Sequence, residues 1–134
     1  MKTDLDKQTI LLADDYKQSR WIMREILEAE GYHVLEASSG ETALQKLKTK
    51  SVDLVFLDQE MPGMSGFEVL SYVQANKLSI PVIFLTGFGE IEFAVKAMKL
   101  GAVDYLTKPP DRDMIILVAK IGRASCRERV CQYV

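Results

Sequence analysis

Leu54-Val55-Phe56-Leu57, followed at once by Asp58, decides the fold. A short apolar run without polar alternation suits a strand covered on both faces, as strands of a parallel sheet are. Four other short runs recur on either side: Ile10-Leu11-Leu12-Ala13, Val34-Leu35, Pro81-Val82-Ile83-Phe84-Leu85 and Val103-Asp104-Tyr105-Leu106. Between them the spacing turns helical. Ile22, Ile26 and Ala29 share one helix face, and Gly31 is placed to end that helix. Ser38 and Glu41 have the spacing of a capping box ahead of Ala43, Leu44 and Leu47; Ser65 and Glu68 repeat it ahead of Phe67, Leu70 and Val73. A fourth helix carries Ala94, Ala97 and Met98 and stops at Gly101, and a fifth starts near Asp111. Strands alternating with helices over short loops predict a single doubly wound α/β domain with a five-stranded parallel sheet and about five helices.

In such a sheet, ligands bind beyond the carboxyl ends of the strands. Asp14 and Asp15 follow the first run, Asp58 the third, Thr86 the fourth and Lys108 the fifth. Each of these has an ordinary reading alone. Asp-Asp after a strand caps or turns, Thr86-Gly87 turns, and Lys108-Pro109 restricts the backbone, with a cis bond open to it. Their joint placement on four of five strand ends is harder to assign to chance. Carboxylates packed together resist ionisation unless a cation sits among them. Oxygen ligands with few protein contacts suit magnesium. A carboxylate can act as the nucleophile in phosphoryl transfer, and Lys108 can neutralise the incoming charge.

Composition narrows the class. The 134 residues are 48% hydrophobic and 27% charged, ordinary for a soluble globular domain. No run approaches the roughly 20 apolar residues of a membrane span, and the amino terminus lacks a secretory signal, so the expected location is cytoplasmic. A net charge of −2 argues against direct nucleic-acid binding. Both cysteines, Cys126 and Cys131, fall in the last few residues, which excludes a disulfide scaffold for the body. The lone histidine, His33, reads as a polar residue entering a strand.

Asp14-Asp15, the stretch Asp58-Gln59-Glu60-Met61-Pro62-Gly63-Met64-Ser65-Gly66, Thr86-Gly87, Tyr105 and Lys108-Pro109 together resemble the receiver domain of bacterial two-component response regulators. The resemblance covers about residues 8 to 120 and lies nearest receivers of enhancer-binding activators and FixJ-like transcriptional regulators. It implies a flavodoxin-like sheet with strand order 2-1-3-4-5. It implies a phosphoacceptor switch rather than a metabolic enzyme, with Asp58 accepting a phosphoryl group from a sensor histidine kinase or a phosphotransfer protein. By the same resemblance, Mg2+ is held by Asp14, Asp15, Asp58 and the backbone carbonyl of Glu60. Lys108, the Thr86 hydroxyl and the Gly87 amide then hold the phosphoryl oxygens, and Glu60 and Phe88 line the route of attacking water. A Thr86–Tyr105 switch would reshape the face made by the fourth helix, fifth strand and fifth helix (α4-β5-α5), a surface suited to homodimerisation. Self-phosphorylation and slow self-hydrolysis are the only chemistry implied.

Three residues depart from the family pattern: Tyr16 after the acidic pair, Gln59 in place of an apolar residue, and Pro110 after Pro109. Two other classes compete. A haloacid-dehalogenase phosphatase uses Asp-x-Asp, where this chain has Asp58 followed two residues later by Glu60. A degenerate receiver acting only as a binding module would lack reacting groups that are all present here. From Ile121 the character changes: Ile121 to Val130 resembles the translation of a sequencing-adapter read-through. The expectation is a receiver over residues 1–120, a non-native tail over 121–134, and a missing output domain.

Overall fold

The computed structural model describes residues 7–87, 89–120 and 122. Five strands and four helices alternate in the order β1 (Thr9–Ala13), α1 (Lys17–Ala29), β2 (His33–Ala37), α2 (Gly40–Thr49), β3 (Leu54–Asp58), α3 (Gly66–Ala75), β4 (Val82–Thr86), α4 (Ile91–Lys99) and β5 (Asp104–Thr107). A fifth helix, α5, covers residues 112–120. All neighbouring strands pair in parallel, in the order β2-β1-β3-β4-β5. The expected topology and strand order are therefore present.

Successive strand residues point to opposite faces, and here each face has its own core. Leu11, Ala13, Val55, Leu57 and Phe84 pack with the buried stripes of α2, α3 and α4. Ile10, Leu12, Phe56, Ile83 and Leu85 pack instead with Met23 and Leu27 of α1 and with Ile115 and Val118 of α5. The continuous apolar runs are explained by this double coverage: β3 and β4 are buried at every position.

Three details of the helices correct the sequence reading. The buried face of α1 is Met23 and Leu27, with Ile26 half-buried, while Ile22 is 48% exposed and Ala29 faces solvent. The sheet selects the residue one step on from the expected one. On α4, Ala94 and Ala97 are buried but Met98 is 42% exposed, because small residues let that helix lie close to the sheet. The α2 cap is Ser39, whose side chain accepts from the Thr42 N–H, and not Ser38; Glu41 turns away to accept from the Met64 N–H. Ser65 caps α3 at the expected place, accepting from the Glu68 N–H. Gly31 ends α1 at a φ of 94°, and Gly101 follows α4 at 108°, conformations that favour a residue without Cβ. His33 opens β2 and is exposed. The Lys108-Pro109 bond is cis.

Candidate functional site

The strand order brings β1, β3, β4 and β5 side by side, so their carboxyl ends share one edge. Asp58 ends β3 and Thr86 ends β4; Asp14 and Asp15 follow β1, and Lys108 follows β5. Asp14, Asp58 and Thr86 are the buried polar residues of the described chain, at 1%, 5% and 3% exposure. Asp15 is exposed. One carboxylate oxygen from each of Asp14, Asp15 and Asp58 lies within 4.8 Å of the other two.

Lys108 is the cation of this group. Its ammonium donates to Asp58 Oδ2 at 2.7 Å and lies 3.1 Å from Asp14 Oδ2. The second contact is an ion pair, and Asp14 Oδ2 is otherwise buried without a hydrogen-bond donor. The other oxygens are held by the backbone: Asp14 Oδ1 accepts from the Tyr16 N–H at 3.0 Å, and Asp58 Oδ1 from the Glu60 N–H at 3.3 Å. Burial pushes the Asp58 carboxyl up to about 6, helped by the charge of Asp14 and opposed by the hydrogen bond and charge of Lys108. Burial lowers the Lys108 ammonium, but the hydrogen bond and charge of Asp58, with Asp14, outweigh it and raise the group above its ordinary value.

Two buried carboxylates against one ammonium make a site short of positive charge. A buried oxygen without a hydrogen bond, the exposed Asp15 carboxylate beside it, and an all-oxygen donor set fit a hard divalent cation that keeps part of its hydration. The cluster can hold such an ion. A cavity of about 230 Å³ opens over it, lined by Asp15, Asp58, Glu60, Gly87, Glu90 and Lys108 among others.

A match to the response regulator receiver domain family spans residues 10–120. The chain belongs to that family. This receiver is 38% identical over 122 residues to the transcriptional regulatory protein ZraR of Salmonella typhimurium, a match covering 91% of this chain and 28% of the relative. It is 35% identical over 108 residues to sporulation initiation phosphotransferase F of Bacillus subtilis, covering 81% of this chain and 87% of that one. The crystal structure of the NtrX receiver domain from Brucella abortus superposes with a TM-score of 0.82 at 33% identity, over 86% of this chain and 98% of the other. The receiver spans between 24% and 28% of the length of the ZraR relatives it matches. As a response regulator receiver it is a phosphoacceptor domain of two-component signalling.

The site residues expected at the strand ends do converge. Gly87 follows Thr86, and a Cβ there would overlap the Glu90 carboxylate. Tyr105 is half-buried on β5 and, with Thr86, lines a second cavity of about 420 Å³ bordered by Ile91 of α4. Phe88, residue 121 and residues 123–134 lie outside the described residues, so the readings of Phe88 and of the tail fall there as well. Sequence reasoning missed Glu90 at the rim, and it missed Arg20, whose guanidinium donates to the Asp14 carbonyl at 2.7 Å. An arginine six residues after Asp14 is a signal only once α1 is placed beside the end of β1. Gln59, the departure from the apolar pattern, has a use: its Oε1 accepts from the Phe67 N–H at 2.9 Å in the first turn of α3.

Proposed function

We propose that Asp58 is the phosphoacceptor and that the donor is a phosphohistidine on a sensor histidine kinase or a phosphotransfer protein. An Asp58 carboxylate oxygen attacks phosphorus, the donor P–N bond breaks, and its electron pair leaves on the imidazole. Asp14, Asp15, Asp58 and the backbone carbonyl of Glu60 would hold Mg2+. Bound there, the ion screens charge between the carboxylates and the phosphoryl oxygens. Lys108 is set to follow one phosphoryl oxygen, and the Thr86 hydroxyl and Gly87 amide serve the others. The observation that carries this reading is Asp58 itself: a buried carboxylate at a strand end, paired with Lys108 at 2.7 Å and grouped with two further carboxylates.

The remaining assignments follow from that reading. Thr86 turning toward the phosphoryl group frees space for Tyr105 to move inward, altering the α4-β5-α5 face, where a homodimer would form. The switch has no metabolic turnover, only self-phosphorylation and slow self-hydrolysis. The receiver occupies residues 1–120 and acts in the cytoplasm without touching nucleic acid directly; we read residues 121–134 as a non-native tail standing where the natural protein carries its output domain. No helix among the described residues is long and apolar enough to cross a membrane.

The test is incubation with Mg2+ and acetyl phosphate, read by intact mass beside Asp58→Asn. A Mg2+-dependent gain of a single phosphoryl group, absent in the variant, is the expected result. No gain in folded protein would favour a receiver acting purely as a binding module.

A further inference from the structure

The Asp14 backbone is held from several sides. Its N–H donates to the Ala37 carbonyl at 3.0 Å, continuing the β1–β2 ladder, and its Oδ1 accepts from the Tyr16 N–H. The Asp14 carbonyl oxygen accepts from Arg20 Nη1, reaching across from the first turns of α1. That carbonyl belongs to the peptide plane joining Asp14 to Asp15. Fixing that plane sets the Asp15 N–Cα bond, and the Tyr16 N–H held on Asp14 Oδ1 restrains the next plane, so together they limit the direction in which the Asp15 Cα–Cβ bond leaves the chain. Asp15 needs such help, because it is the exposed member of the carboxylate trio.

Arg20 is in turn held in place. Its Nε donates to Glu36 Oε1 at 3.1 Å, and the Arg20 side chain is 14% exposed. Glu36 lies on β2 and is pinned from its other side by Arg24 of α1; its backbone carbonyl accepts from the Lys46 ammonium of α2. Glu36 has a second consequence. A guanidinium this close to an acidic cluster could swing onto a carboxylate and compete with a metal ion. Glu36 takes up the Nε edge of the fork and leaves the Nη1 donor for a carbonyl, so the carboxylates of Asp14 and Asp15 stay available.

From this geometry we infer that Arg20, oriented by Glu36, is a positioning residue for the cation site: it aims the Asp15 carboxylate by clamping the Asp14–Asp15 peptide. It touches neither metal nor phosphoryl group. The inference rests on the proposal that the trio binds Mg2+.

Arg20 and Arg24 provide an internal comparison. Both pair with Glu36, but only Arg20 among the two bonds to the Asp14 backbone. A role limited to holding α1 against β2 would show equally in both. Arg20→Met keeps the apolar stem and removes the donors. Titrating the full chain with MgCl2 by calorimetry, the expected result is a rise in Kd of about tenfold for Arg20→Met, the size seen when groups orienting metal ligands are lost. Arg24→Ala should stay within about twofold of the unaltered protein, at a comparable cost in thermal stability. If Arg20→Met does not fold, Arg20→Lys is read the same way, since a point-like ammonium lacks the rigid planar fork that directs Nε to Glu36 and Nη1 to the Asp14 carbonyl. Equal Mg2+ affinity in Arg20→Met and the unaltered chain, or equal losses in the Arg20 and Arg24 variants, would overturn the inference while leaving the metal site standing. An unaltered chain that takes up no Mg2+ would remove the metal reading and this inference with it.

Discussion

Gly66 has no room for a side chain, because a Cβ there would run into the carbonyl oxygen of Asp58. The obstacle is backbone, which cannot rotate away as a side-chain end would. Gly66→Ala must therefore push α3 off the end of β3, at a cost of about 2 kcal/mol, the usual range for overpacking. Urea unfolding should show a lower midpoint with an unchanged slope, and the rate of Asp58 phosphorylation should fall with it. Glu36 offers a different single-residue test. Burial pushes its carboxyl up, but hydrogen bonds from Arg24 and Arg20, with their charges, outweigh burial and hold it below the usual carboxylate range. A depressed carboxylate contributes stability that is present above its unfolded value and lost as pH falls through its folded value. Glu36→Gln should thus be less stable than the unaltered chain near neutral pH, by about 0.5 kcal/mol after allowance for solvent screening of these part-exposed pairs. Urea midpoints taken near neutrality and again well below the carboxylate range should converge at the acid end; a constant difference would count against the ion pairs as its source.

Among the elements, α3 is tied directly to the residue that follows Asp58 at the end of β3. The Phe67 N–H donates to Gln59 Oε1, the Gly66 N–H donates to the Gln59 carbonyl at 3.0 Å, and Ser65 caps the same turn. The ring of Phe67 then stacks on Phe84 of β4, meets Phe93 of α4 edge-on, and lies under the Lys96 ammonium. Gln59→Leu removes the side-chain acceptor and should cost about 1 kcal/mol, as other lost helix caps do, with hydrogen exchange rising first at the start of α3. Sequence alone marked Gln59 only as a departure, since its partner lies eight residues on, across a turn. The strands β1, β3 and β4 were legible because both faces are apolar, a pattern that few other local structures produce. Helix phase was less so: Ile22-Met23 and Ile26-Leu27 offer two adjacent apolar stripes, and packing on β1 and β3 decides for the second residue of each pair. Tandem serines at 38 and 39 misled the α2 cap in the same way, the reading taking Ser38 where Ser39 caps. The carboxylate trio and Lys108 were legible because strand ends in this topology must meet, whereas the Arg20–Glu36 clamp joins α1 to β2 and leaves no local pattern.

At the scale of the whole molecule, the two cores hold the sheet from both faces and deliver a charge-starved cluster to one edge of it. That arrangement stores an electrostatic cost in the metal-free fold: Asp14 and Asp58 are buried together, and Lys108 is the ammonium that faces both. A ligand that binds the folded chain and not the unfolded one stabilises it by mass action. At Mg2+ ten times its Kd the gain is about 1.4 kcal/mol, which for a domain of this size raises Tm by about 5 °C. The same gain should be lost in Asp14→Asn, which removes a buried carboxylate from the trio. Lys108→Ala should behave oppositely. Without the ammonium the two buried carboxylates repel unscreened, so the metal-free protein melts lower, and the shift on adding Mg2+ becomes larger than in the unaltered chain. Thermal melts of the three proteins with and without MgCl2, at one pH and matched ionic strength, decide the point. Equal shifts in all three would mean that the ion acts elsewhere on the surface, and that the cluster at the strand ends is held by Lys108 alone.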